Sequence, residues 1–126
     1  MDGRTEMKLR IQGNSLRFRL TRSEVASLSE DGLIAETTHF GAGHSLTYRL
    51  RKEAGGVDVR AELADGVITV SAPAWTVDKW AMSDEVGIAT QDGVLRINIE
   101  KDFRCLTRRE EDEADAYPHP VEQTAC

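Results

Sequence analysis

Six cations occupy one phase of alternating apolar stretches. Lys8 and Arg10 alternate with Met7, Leu9 and Ile11, Arg17 and Arg19 with Leu16, Phe18 and Leu20, and Arg49 and Arg51 with Leu46, Tyr48 and Leu50. Residues two apart on a strand share a face, so the pattern predicts one cationic face built by three strands. Guanidinium groups grip oxyanions through paired N–H donors. Such a face binds a phosphate-bearing small molecule or an acidic protein segment. The plainer reading is a solvated face whose charges discourage edge pairing.

A second constellation closes the chain. Glu110, Glu111, Asp112, Glu113 and Asp115 precede Tyr117, and clustered carboxylate oxygens suit a hard divalent cation. The glycine and ligand spacing of a calcium-binding helix–loop–helix are missing. Cys105, His119 and Cys126, with His39 or His44 added, form a soft-metal alternative, but they lack the paired spacing usual for zinc. The metal-binding alternative therefore rests on Cys105, Glu110, Glu111, Asp112, Asp115 and His119. The plainer reading makes Cys105 a small buried thiol and the carboxylates a solvated run. The same carboxylates could also lie across the cationic face of their own chain.

Catalytic signals are weaker. Gly41-Ala42-Gly43 and Gly55-Gly56 lack the lysine and the strand-to-helix setting of a phosphate loop. His39 and His44 flank a turn, and neither Ser45 nor Cys105 has a base at nucleophile spacing. No catalytic residue is assigned. A triphosphate-tunnel enzyme remains a further alternative if the strands close around their charges, although its ExExK signature is absent.

The chain has 126 residues and a formal net charge of −6. Residues 1–52 carry a net +3 and residues 53–126 a net −9. The acidic total argues against nucleic-acid binding, which depends on neutralising phosphates. The opening residues lack the apolar core of a signal peptide, and no apolar run is long enough to span a bilayer. These features predict a cytoplasmic protein with reduced cysteines.

The elements that must position these residues read as two copies of one pattern, over 7–52 and 57–103, at a period of about 50 residues. In the first copy, a hairpin turns at Gly13-Asn14-Ser15. Thr21-Arg22-Ser23-Glu24 then has the form of a capping box, and the helix it opens stops at Gly32. A second hairpin turns around Gly41–His44. In the second copy, Val57, Val59, Ala61 and Leu63 form the apolar phase of the first strand, before a turn at Asp65-Gly66. A helix starts near Ser71-Ala72-Pro73, and a last hairpin turns at Asp92-Gly93. The expected class is α+β, with about eight strands, mainly in antiparallel hairpins, and two short helices. One twisted sheet, two packed sheets and a barrel are all compatible with this. The predicted domain spans 7–106, and 107–126 reads as an acidic tail. Hairpin edges also leave homodimerisation open.

Met7–Val25 (MKLRIQGNSLRFRLTRSEV), Glu36–Gly41 (ETTHFG), Asp84–Ile88 (DEVGI) and Glu100–Pro120 (EKDFRCLTRREEDEADAYPHP) resemble a family of short bacterial proteins of unknown function. The resemblance spans nearly the whole chain after Glu6 and implies that the family pattern starts at Met7. Where this chain has Tyr117-Pro118-His119-Pro120, the family pattern more often has Asn in place of His. The resemblance implies no activity, cofactor or catalytic residue.

Overall fold

A computed structural model describes residues 7–103 and Tyr117. In chain order its elements are β1 (Lys8–Gln12), β2 (Ser15–Leu20), α1 (Arg22–Asp31), β3 (Leu33–His39), β4 (Ser45–Glu53), β5 (Arg60–Ala64), β6 (Val67–Pro73), α2 (Ala74–Ala81), β7 (Gly87–Asp92) and β8 (Leu95–Lys101). The fold is α+β. Its strands form two four-stranded sheets rather than a barrel, ordered β1-β2-β8-β7 and β3-β4-β6-β5.

Local chemistry accounts for most boundaries. Gly13 takes φ 56°, the left-handed region that the β1–β2 turn requires. Thr21 caps α1 reciprocally: its hydroxyl accepts from Glu24 N at 3.3 Å, and the Glu24 carboxylate accepts from Thr21 N at 2.8 Å. Gly32, at φ 83°, ends the helix and returns its N–H to Leu28 O.

The hairpins do not stack in chain order. The sheet centres are parallel pairings, β2 with β8 and β4 with β6, so each sheet joins one hairpin from each half of the chain. The inward phases of both sheets meet in one core. Leu16, Phe18, Leu20, Ile97 and Ile99 come from the first sheet, and Ile34, Leu50, Ile68, Val70 and Ala72 from the second. The rings of Phe18 and Tyr48, one from each sheet, lie 6.4 Å apart. Val25 and Leu28 of α1 and Val77 and Trp80 of α2 complete the core, and the two helices pack on each other.

Two expectations need correction. Val57 and Leu63 are not buried but 78% and 71% exposed: Val57 precedes β5, and Leu63 is on the core-facing side, opposite Ile68, without cover. The pairing of β5 begins only at Arg60, and as an edge strand it leaves its ends uncovered. The second helix starts later than its proline implied. Strand β6 continues through Ser71 and Ala72, which pair with Arg51 and Lys52, and Pro73 is the N-cap residue rather than part of the first turn.

Candidate functional site

The six cations do not form one face. Lys8, Arg10, Arg17 and Arg19 lie on the outer side of the first sheet, and Arg49 and Arg51 on the outer side of the second. Alternation correctly separates inward from outward side chains, but it cannot say which hairpins share a sheet. The parallel β2–β8 and β4–β6 pairings place the two halves of the expected stripe on either side of the core. The charged tunnel falls for the same reason: the sheets do not close, and apolar side chains fill the space between them.

On the first sheet, the register sets like charges directly opposite. Lys8 faces Arg19, and Arg10 faces Arg17. Directly opposed residues on one face are the closest cross-strand neighbours, and like charges there are destabilising. Partial relief comes from β8 and the residue that follows it. Glu100 lies 3.6 Å from the Nε of both Arg17 and Arg19. Asp102 lies 3.6 Å from Lys8 Nζ, and its backbone N–H bonds to Leu20 O at 2.8 Å. Arg96 of β8, opposite Ser15, adds a fifth cation to this face. Arg10 and Arg96 are exposed and form no ion pair among the described residues. Gly87 makes room for Glu100, since a Cβ there would lie 2.7 Å from Ile99 O and 3.1 Å from the Glu100 side chain.

The second sheet handles its arginines differently. Arg49 Nε donates to Thr69 Oγ1 at 2.8 Å, and Arg51 Nε to Ser71 Oγ at 3.4 Å. Each hydroxyl belongs to the residue directly opposite on β6. Glu53 joins Arg51, at 3.2 Å, to Arg60 of β5, at 2.7 Å. Those hydrogen bonds, Arg60's first and Arg51's second, hold the Glu53 carboxyl below its usual range. Sequence reading missed Arg60, Thr69, Ser71 and Arg96. The first three share the outward phase of β5 and β6, a signal hidden because β6 is buried at nearly every position.

Two polar clusters tie the framework together. Lys52 Nζ bonds Ser29 O at 2.6 Å and Asp78 Oδ1 at 3.1 Å, while Ser29 Oγ donates to Asp78 Oδ1 at 2.9 Å. The Asp78 carboxyl is held low, first by the Ser29 hydroxyl and then by Lys52. Tyr48 donates its phenolic hydrogen to Met7 O at 3.0 Å. Its pKa is raised, first by burial and then by the charges of Glu36 and Glu24.

His39 and His44 are exposed beside the 3₁₀ turn at Gly41–Gly43. Among the described residues no group of three His, Cys, Asp or Glu side chains is placed to hold a metal ion. The expected metal ligands Cys105, Glu110, Glu111, Asp112, Asp115 and His119 lie outside the described residues, as does the rest of the acidic tail apart from Tyr117. Among the described residues no helix is long and apolar enough to cross a membrane.

No curated protein matches this chain. Residues 7–121 match the model of a family described as "Family of unknown function (DUF7009)". That match begins at Met7, whose carbonyl receives the Tyr48 hydroxyl, and runs through both arginine-bearing sheets into the acidic segment, so the chain belongs to this family.

Proposed function

We propose that the protein is a non-enzymatic binding module whose first sheet receives an acidic polypeptide segment on its outer face. The observation that carries this reading is the pair of like charges that the register sets opposite each other, Lys8 against Arg19 and Arg10 against Arg17. They raise the energy of the unliganded sheet, and an acidic ligand relieves that repulsion as it binds. The face also has a matching repeat. Lys8 and Arg10, like Arg17 and Arg19, are separated by two strand residues, about 6.6 Å. Alternate carboxylates of an extended peptide have the same spacing. The electrostatic term steers the encounter and sets its salt dependence more than it sets raw affinity.

The chain carries a segment of the required chemistry in Glu110–Asp115. It follows Asp102, which is already anchored against Lys8 and Leu20 at the margin of this face. In this reading the segment competes with an external acidic partner.

Fluorescence anisotropy with a labelled oligo-glutamate peptide tests the proposal. Binding is expected to weaken steeply with added salt and to disappear in the Arg10→Gln/Arg17→Gln double variant. Equal binding by that variant and the unaltered protein overturns it.

A further inference from the structure

We infer a second, separate site on the outer face of the second sheet, which takes the phosphate group of a small phosphorylated molecule through Arg49 and Arg51. It does not depend on the reading of the first sheet. The evidence is the way these arginines are held. Thr69 and Ser71 point outward from β6 yet are only 9% and 8% exposed. Each gives its hydroxyl oxygen to the Nε of the arginine directly opposite on β4. Fixing Nε restrains the guanidinium plane while leaving the terminal Nη groups to point away from the hydroxyl. An arginine restrained in this way loses less freedom when it captures an oxyanion.

The two arginines are not equivalent. Arg51 shares Glu53 with Arg60. Arg49 has no ion pair among the described residues, so it supplies the fork for the incoming anion, and Arg51 flanks it two residues along the same face. A depression of about 520 Å³ lies over these residues. Its margin includes Glu62 and Asp92, and the Asp92 carboxylate accepts Ala61 N–H at 2.9 Å. These carboxylates repel a polyanion extended across the face, whereas Arg49, Arg51 and Arg60, which line the same depression, favour a compact anion held on the arginine side. Charge-assisted, bidentate contact with a tetrahedral oxyanion is the chemistry that arginine performs better than lysine.

The test is an NMR titration of the full chain with inorganic phosphate, with sodium chloride at matched ionic strength as the reference. The expected result is saturable shifts at the Thr69 and Ser71 amides and at Arg49 Nε, absent with chloride. Loss of one bidentate contact in Arg49→Gln weakens the apparent affinity by about tenfold or more. Lys79→Gln, which removes an exposed cation from α2, leaves it unchanged. The inference is overturned if the shifts do not saturate, if chloride reproduces them, if they map to the first sheet, or if Arg49→Gln titrates like the unaltered chain. Mapping on the unaltered chain keeps the test decisive even if Arg49→Gln fails to fold.

Discussion

Arg10 and Arg17 stand directly opposite one another across the β1–β2 hairpin, on the side turned away from the core. Glu100 relieves Arg17 from β8 but forms no ion pair with Arg10. Converting Arg10→Glu replaces a repulsive neighbour with an attractive one. Cross-strand pairs of this kind differ by about 0.2–1 kcal/mol, so the variant is expected to unfold at a higher denaturant midpoint while binding oligo-glutamate more weakly. A loss of stability would show that Arg10 makes a contact worth more than the repulsion.

Neutralising the closing acids tests competition for the same face. Replacing Glu110, Glu111, Asp112, Glu113 and Asp115 with their amides in the full chain is expected to raise affinity for the acidic peptide. The gain should shrink at high salt, because the competing attraction is screened. Anisotropy at two salt concentrations measures both effects.

The Asp78 cluster predicts a particular pH response. Its carboxyl titrates lower in the fold than in the unfolded chain, chiefly because of Ser29 and then Lys52. The stability it contributes is therefore complete above the ordinary aspartate range. It is lost as the pH falls through that range towards the lower native value. Asp78→Asn should lower the melting temperature near neutral pH, and the difference from the unaltered protein should close in acid. A difference that persists undiminished in acid would mean that packing, not charge, links α1 to α2.

Gly87→Ala should destabilise although its backbone is not left-handed. The added Cβ would sit 2.7 Å from Ile99 O, a backbone atom that cannot swing aside. Overpacking of this kind costs about 1–3 kcal/mol, to be read from chemical denaturation. The shift should also disturb the Glu100 contacts with Arg17 and Arg19.

Local structure was legible in the sequence wherever one residue type has one job. The Thr21–Glu24 box, the Gly32 stop and the apolar phase of β2 and β8 all follow from short-range chemistry, and the structure bears each of them out. The working surface was harder to read because it depends on long-range pairing. Nothing near Arg17 announces Asn98 as its neighbour, and nothing near Arg49 announces Thr69. The start of α2 was misplaced because Pro73 suits both a first helical turn and the residue before it. The exposed Leu63 shows that the apolar phase of an edge strand can be left with little to cover it.

The exchange of hairpins has a consequence for how the protein assembles. Neither half of the chain can complete a sheet from its own strands, because β2 needs β8 and β4 needs β6. The parallel seam of the first sheet joins residues as distant as Ser15 and Arg96, so that sheet is not finished until nearly the whole chain is in place, whereas the strands of the second sheet all lie within residues 33–73. A fragment ending near Gly55 would present two unsatisfied inner edges, each shaped for a hairpin it does not possess, and the obvious donor is another molecule of the same protein.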